Sequence, residues 1–500
     1  SAMSSRRQFL RTAGYATAAT LALGSLATSR LRAQTTASTS TSIEVMSAVQ
    51  LAAAIRAKKI SSYEAVTALY KRIDAVNPKI NAVVTQCRER ALAEAKAADA
   101  ALAAGRSLGP LHGVPFTIKD SLETAGVVST SGTLGRKNFI PGQDATVVAR
   151  VRAAGAILIG KTNTPEFTLG GGDLGTYNLV YGQTYNPYNL AHTPRGSSGG
   201  AGAIIAAGGS PFDIGSDFGG SIRSPAHACG VTGIKPTLGR VSRAGHIPGY
   251  GGAWDVYQEL GPLARWVEDL DLVTRLISGS DDLDPLAADA PFGDYRQVDL
   301  KKLRVAYYLD NQLVTPTPET LEAVKAALKA VEGTVASVTE SFHGGDPEWN
   351  ELSGKLLRAD AGAWRQRLLA KHGTTQASPG FANGIGGTAL SSPEFTALVE
   401  KRDALRSRLL KWFQAYDIII CPTNAFPAPS FAKPVPGKAG YTSIYNLSGW
   451  PAAVVRAGTA KTEGLPIGVQ IIGRPWREDT VFAIAAQIET ATGGYQAPVL

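Results

Sequence analysis

The chain has 500 residues, of which 44% are hydrophobic, 18% charged and 7% aromatic. This composition is typical of a globular protein with one large domain or two to three ordinary ones, and it excludes a disordered tail, a small disulfide scaffold and a polytopic membrane protein. The net charge is +9, but five arginines and no acid lie within residues 1–33. The rest of the chain is only mildly basic and has no Lys/Arg run, so we expect no nucleic-acid partner.

The first 43 residues have the composition of a processed segment. Residues 1–3 are typical of a cloning remnant, and Arg6-Arg7 are the paired arginines of a twin-arginine export signal that would end near residue 33. A frayed basic helix is the alternative. Residues 34–43 are rich in Ser and Thr and predict a linker into a domain over residues 44–500. The sequence thus predicts a periplasmic or secreted protein with no stable membrane association.

The elements that follow alternate between helix and strand. Apolar spacing near 3.6 predicts helices within residues 44–104, where Ser61 and Glu64 form a capping-box pattern. After Gly113, short apolar runs separated by helical segments are typical of an α/β fold with buried strands. We predict strands at 114–118, 156–159, 304–308, 418–420 and 468–472, and helices at 145–154 and 318–331.

Two regions depart from this alternation. Residues 345–416 predict amphipathic helices around a Gly-rich loop, and residues 422–440 are Pro-rich and irregular. An excursion of this size, 345–440, commonly supplies the walls of a substrate pocket in an α/β enzyme.

The cysteines and histidines do not form a metal-binding pattern. Three cysteines are widely spaced without a CxxC motif, and six histidines share no ligand spacing. We therefore expect buried thiols and no metal. The cysteines are Cys87, Cys229 and Cys421.

The segment with the most chemical information is residues 196–220, which hold nine glycines and lead directly to Ser221. Glycine is needed where the backbone adopts positive φ or approaches another group closely. Several amides around one hydroxyl are the requirement for an oxyanion hole beside a nucleophile. A phosphate-binding loop needs a lysine after the glycines, and a dinucleotide fingerprint needs a strand before them, so neither fits. The pattern also matches GxSxG with Ser198 as a serine-hydrolase nucleophile, but that motif needs the same missing strand.

Four blocks in this order resemble the amidase signature family: residues 113–120, 160–167, 194–237 and 464–470. The resemblance covers nearly all of the chain after the linker. It implies an α/β fold, with a single large domain in which helices cover both faces of a central mixed β-sheet. The sequence departs from the family's pattern at Arg195, where a glycine is usual, and at Ala201, where a polar residue is frequent.

The resemblance assigns roles residue by residue. Ser221 is the nucleophile, Ser197 is a relay held by a cis peptide bond, and Lys119 is the base. Backbone amides of the turn would form the oxyanion hole, and three further residues would brace the site. The oxyanion-hole residues are Phe218, Gly219 and Gly220, together with Ser221, and the bracing residues are Ser198, Asp217 and Arg223. Asp217 and Arg223 could equally form an ordinary ion pair.

The chemistry is consistent with these roles, because a serine hydroxyl needs a neighbouring base and a lysine becomes one only when burial lowers its pKa. The expected activity is hydrolysis of a linear or aryl amide, a small-molecule substrate, with no cofactor. The alternatives are a glutaminase-type subunit of an amidotransferase and a carbamate or ester hydrolase on the same triad. An inactive binding protein is disfavoured because all three catalytic residues are present. The sequence leaves a homodimer open.

Overall fold

A large mixed sheet and a smaller one organise the chain in the computed structural model, which describes residues 42–249, 251–435 and 440–500, without the side chains of residues 252 and 253. The predicted export signal lies outside the described residues, as does the linker as far as residue 41. Residues 41–500 form one compact unit.

The strands and helices of the described residues alternate along the chain. The strands are β1 (Val83–Gln86), β2 (Pro115–Lys119), β3 (Ile157–Thr162), β4 (Tyr177–Asn178), β5 (Gly182–Gln183), β6 (Phe212–Asp217), β7 (Thr232–Lys235), β8 (Glu259–Ala264), β9 (Arg304–Tyr307), β10 (Ser337–Glu340), β11 (Ile418–Pro422), β12 (Ala452–Thr459) and β13 (Pro466–Gly473). The helices are α1 (Ala48–Arg56), α2 (Ser62–Ile80), α3 (Arg88–Ala103), α4 (Thr146–Ala153), α5 (Gly199–Ala206), α6 (Arg223–Cys229), α7 (Val267–Ile277), α8 (Pro318–Val331), α9 (Asp346–Leu356), α10 (Ala363–Lys371), α11 (Pro379–Ala382), α12 (Ser392–Phe413), α13 (Ser443–Ser448) and α14 (Glu478–Thr492).

The large sheet has eight strands in the order β10-β9-β11-β13-β12-β7-β8-β6. The pairs β10–β9 and β9–β11 are parallel, and the other neighbours are antiparallel. A second sheet, in the order β1-β3-β2, pairs β2 parallel to β3. The predicted α/β fold with a central mixed sheet is confirmed.

Both faces of the large sheet are buried, as β11 illustrates. Side chains alternate along a strand, so Ile418 and Ile420 enter one apolar cluster while Ile419 and Cys421 enter another. Helices α7, α8 and α14 contribute to the first cluster, and α9, α12 and α13 contribute to the second. A run of residues that is apolar at every position therefore indicates a strand of a sheet that is buried on both faces.

Most predicted elements are confirmed. Helix α8 has the bounds that the spacing predicts, and Ser61 and Glu64 form the capping box at the start of α2. Strand β1 was not predicted within the helical region. Asn81, in a left-handed conformation, ends α2 and frees the residues of β1 to pair with β3. Strands β4 to β8, β10 and β12 were also missed. Strand β6 reads FDIGSD, whose Gly, Asp and Ser are poor strand formers.

The region 345–416 is helical, as predicted, and is made of α9 to α12. Within the described residues, no helix is long and apolar enough to cross a membrane. The three cysteines are buried and unpaired, as expected.

Candidate active site

The centre of the candidate site is Lys119, the last residue of β2. Its side chain is fully buried. Its Nζ donates hydrogen bonds to three serine hydroxyls: Ser197 Oγ at 2.6 Å, Ser198 Oγ at 2.9 Å and Ser216 Oγ at 2.9 Å. Three hydroxyls use all three N–H groups of an ammonium, so the amine is held in one orientation.

Burial changes the acidity of this amine. Removal from water lowers the pKa of Lys119 to about 7, while the carboxylates of Asp217 and Asp213 act in the opposite direction. A substantial fraction of the amine is therefore unprotonated at neutral pH. In that form its lone pair can accept a proton from the hydroxyl of Ser197, which is what a general base requires.

The two neighbouring serines lie in the turn that leads into α5. The peptide bond between Gly196 and Ser197 is cis, as the resemblance implies. Ser198 is the N-cap residue of α5, and its amide donates to the carbonyl of Ser221 at 3.0 Å. The serine predicted as relay and the serine predicted as nucleophile therefore belong to adjoining turns. Ser198 itself binds Lys119, and the described residues 184–197 before it contain no strand, so it lacks the setting that the GxSxG motif requires.

The turn that carries Ser221 connects β6 to α6 and is built around Asp217. The Asp217 carboxylate accepts hydrogen bonds from the amides of Gly220 at 2.8 Å and Ile222 at 3.0 Å. It also accepts from Nε and Nη2 of Arg223, at 3.0 and 2.9 Å. Burial acts to raise the pKa of Asp217, but Arg223 and these hydrogen bonds hold it well below its usual range. The two residues form a fully buried pair that shapes the turn.

The amides of this turn differ in their availability. The Gly220 amide is bonded to Asp217, whereas within the described residues the amides of Gly219 and Ser221 have no protein partner. Gly220 has φ +124°, and a Cβ there would lie 2.3 Å from Oγ1 of Thr442. Only glycine fits this position. Thr442 in turn donates to the carbonyl of Gly219 at 2.7 Å.

Ser197 and Ser221 line one cavity of about 300 Å³. Its walls come from the loop between β3 and β4, the turns before α5 and α6, and the Pro-rich region 422–440. Pro429 and Val435 are the residues of the Pro-rich region that line this cavity. A second cavity, of about 610 Å³, is lined by residues of 345–416 and by Trp254. The ring of Trp254 stacks on that of Phe218, with 5.7 Å between the ring centroids.

Sequence reasoning missed three residues that hold the site together. Ser216 is the third partner of Lys119, and Thr442 and Asn446 lie far along the chain. Asn446 donates to Oδ1 of Asp217 at 2.9 Å, and its Oδ1 accepts from Arg223 at 2.6 Å. Ser216 carries a local signal, since it directly precedes Asp217 in the sequence. Nothing near residues 442–446 in the sequence indicates their contact with this turn.

Two other buried lysines have structural partners. Lys161 donates to Thr124 Oγ1 at 2.8 Å and to Ser129 Oγ at 3.2 Å, and Lys235 donates to the carbonyl of Pro236 at 2.8 Å. No group of His, Cys, Asp and Glu residues within the described parts of the chain could hold a metal ion.

The chain is similar to known proteins over most of its length. Residues 64–482 match the Amidase family. A glutamyl-tRNA(Gln) amidotransferase subunit from Moorella thermoacetica is 37% identical over 484 aligned positions, which cover 89% of this chain and 96% of the relative. The subunit of the same name from Roseiflexus sp. is 36% identical, over 87% of this chain and 94% of its own.

Solved structures add further neighbours, each named as a hydrolase or an amidase. The 6-aminohexanoate cyclic dimer hydrolase matches with a TM-score of 0.78 and 29% identity, over 91% of this chain and 99% of its own. The peptide amidase PAM matches with a TM-score of 0.78 and 27% identity, over 91% and 99%. A bacterial aryl acylamidase of the amidase signature family matches with a TM-score of 0.79 and 26% identity, over 89% and 96%.

The relatives correct one expectation. A periplasmic or secreted location is wrong, because the matched relatives belong to an enzyme named for glutamyl-tRNA(Gln), and aminoacylated tRNA is a cytoplasmic substrate. The paired arginines on which that expectation depended lie outside the described residues.

Proposed function

The chain belongs to the amidase signature family, and from this premise we propose that it hydrolyses a carboxylic amide through an acyl-enzyme on Ser221. The observation that carries the proposal is the buried amine of Lys119, whose Nζ lies 2.6 Å from Ser197 Oγ at the cavity that Ser221 also lines. A buried lysine with a pKa near 7 is suited to remove a proton from a serine hydroxyl.

The proposed reaction moves one proton along a short path. Ser221 Oγ attacks the carbonyl carbon while its proton passes to Ser197, whose own proton passes to Lys119. The tetrahedral intermediate then breaks the C–N bond, and the leaving amine takes its proton back from Lys119 through Ser197. Water attacks the acyl-enzyme by the same path and releases the carboxylic acid.

The oxyanion of the tetrahedral intermediate needs donors that are not already bonded. The amides of Gly219 and Ser221 meet this condition within the described residues. Phe218 is proposed as a third donor from the family resemblance alone. The Gly220 amide contributes indirectly, since its bond to Asp217 holds the turn. Loss of one oxyanion donor typically costs about 2.7–4 kcal/mol of transition-state stabilisation.

The substrate that we propose is a small amide, linear or aryl, and residues 345–440 contribute walls to its pocket. Pro429 and Val435 at the catalytic cavity support this, as do the residues of α9, α10 and α12 around the second cavity. A carbamate or ester would react by the same steps, because attack on the carbonyl does not depend on nitrogen in the leaving group.

A second candidate function is favoured by the named relatives. They are 36–37% identical, and the match spans 94–96% of the length of the first two. On this hypothesis Ser221 hydrolyses the amide of glutamine, and further subunits use the released ammonia on glutamyl-tRNA(Gln). Lys119, Ser197 and Ser221 have the same roles in both candidates, which differ in the amide and in the partners.

Product analysis by mass spectrometry tests the proposal. The purified chain is incubated with short primary amides, anilides, dipeptide amides, aryl carbamates and glutamine, beside Ser221→Ala and the control Ser337→Ala, which alters an exposed serine that lines neither cavity. We expect turnover by the native chain and by Ser337→Ala, and none by Ser221→Ala. A fluorophosphonate should label Ser221 in the same two proteins.

The outcomes separate the candidates. Turnover of glutamine that rises when amidotransferase partner subunits are added supports the second candidate, and turnover of anilides or dipeptide amides by the chain alone supports the first. Absence of both labelling and turnover would contradict the acyl-enzyme chemistry.

A further inference from the structure

The cavity that Ser221 lines also contains a cationic side chain without a bonded anion. Arg195 lies on the cavity wall, two residues before Ser197. Its Nε and Nη2 atoms are inaccessible to solvent and have no hydrogen-bond partner within the described residues. Buried polar groups are almost always bonded in folded proteins, and a buried charge is the costliest exception.

The two unpartnered atoms form one edge of the guanidinium. Two other arginines use the same edge, Nε with Nη2, to bind a carboxylate: Arg223 binds Asp217, and Arg243 binds Asp284. In both pairs the two nitrogens donate to the two oxygens of one carboxylate. The unpartnered edge of Arg195 therefore has the shape and charge of a carboxylate-binding site.

Arg195 stays charged in this setting. Burial lowers its pKa to about 10, and the carboxylate of Asp173 opposes that effect. The guanidinium is thus protonated at neutral pH. Asp173 is exposed on the rim of the same cavity.

The backbone fixes the direction of this side chain. The Arg195 amide donates to Thr193 Oγ1 at 3.0 Å, and its carbonyl accepts from Thr176 Oγ1 at 2.9 Å. The residue has φ +61°, a left-handed conformation that glycine adopts readily and arginine rarely does. An arginine at such a position suggests that the side chain has a role that glycine lacks.

We infer that Arg195 is a specificity-determining residue that binds a carboxylate of the substrate through Nε and Nη2. The inference rests on the proposed function and narrows its substrate class to small amides that carry a carboxylate, such as the monoamides of short dicarboxylic acids. A cavity of about 300 Å³ limits the molecule to a few carbons beyond the amide.

Calorimetric binding in the Ser221→Ala background tests this without turnover. The ligands are malonamate, succinamate and glutaramate, each paired with the neutral amide of the same chain length: propanamide, butanamide and pentanamide. We expect at least one anionic ligand to bind more tightly than its neutral partner. Adding Arg195→Met should raise the Kd of that anionic ligand about 30- to 100-fold, the range for a lost charge-assisted hydrogen-bonded pair. The Kd of the neutral amide of the same chain length should stay unchanged.

Two further variants keep the test decisive. Arg195→Gly suits the left-handed backbone and should fold even if Arg195→Met does not, with the same loss of anion binding. Arg106→Met removes an exposed arginine that lines neither cavity and should leave every Kd unchanged.

Equal Kd values for anionic and neutral ligands would overturn the assignment of Arg195, as would anion binding that survives both Arg195 variants. Parallel turnover assays on the native Ser221 protein separate this result from the proposed function. Arg195-dependent binding without turnover contradicts only the proposed hydrolysis. Turnover of these amides that does not depend on Arg195 contradicts only the substrate class.

Discussion

Replacing Asp217 by asparagine tests whether the buried pair with Arg223 holds the catalytic turn. Both side chains are fully buried. The introduced asparagine would retain one oxygen but would turn an NH₂ group toward donors, among them the Ile222 amide and the Arg223 guanidinium. Arg223 would be left charged and buried without its counter-ion.

The expected loss is large because one partner of a buried ion pair is removed. Such changes destabilise proteins by about 3–5 kcal/mol. A matched control is Asp74→Asn, which breaks an exposed ion pair with Arg88. The side chain of Asp74 is 55% exposed and that of Arg88 is 43% exposed. Exposed pairs contribute about 0–1 kcal/mol. Equilibrium urea unfolding followed by tryptophan fluorescence compares the two variants with the native chain.

The pH dependence gives a second check. The pKa of Asp217 in the folded chain lies well below its unfolded value of about 3.9. Its stabilising contribution is therefore complete above that value and is lost only as the pH falls through the folded pKa. The difference between the native chain and Asp217→Asn should therefore persist from pH 5 to pH 8. It should be larger at the acidic end, because Asp217 also attracts the charged amine of Lys119, which loses its proton near pH 7. A destabilisation no larger than that of Asp74→Asn would refute the reasoning.

Three further predictions concern activity. Because burial lowers the pKa of Lys119 to about 7, kcat/KM should rise with pH through one deprotonation near that value, and a flat native profile would contradict a lysine base. Lys119→Met should abolish activity from pH 6 to 9 while its circular dichroism spectrum shows that the chain is still folded. Ser216→Ala removes a hydrogen bond that favours the charged amine, so the acid limb should move to lower pH, and an upward shift would contradict that role. Gly220→Ala places a Cβ 2.3 Å from Thr442 Oγ1, so kcat/KM should fall by about 100-fold or more in steady-state assays, and native-like kinetics would show that the turn can yield.

The fold could be predicted in part because local pattern encodes it. The β11 run is apolar at every position, as a strand buried on both faces requires, and the α8 segment has apolar spacing near 3.6. Strand β6 escaped prediction because glycine, serine and aspartate carry little strand propensity. Its position is decided by pairing with β8 and by the turn that follows it.

The candidate residues Lys119, Ser197 and Ser221 followed from the resemblance, because they lie within long ordered motifs. Asn446 and Thr442 did not, since they reach the turn from more than 200 positions away. No periodicity in the sequence records such a contact, which forms only when β12 and β13 bring the C-terminal part of the chain beside α6.

The sequence by itself determined the alternation of strands and helices, the family resemblance and the candidates for nucleophile, relay and base, because these depend on local composition and on motif order. The tertiary structure decided the acidity of Lys119, the engagement of the Gly220 amide by Asp217 and the unpartnered edge of Arg195. Each of these properties depends on burial and on partners distant in the chain or set by the folded turn. A side chain is removed from water, and bonded to partners far away in the sequence, only after the chain has folded around it.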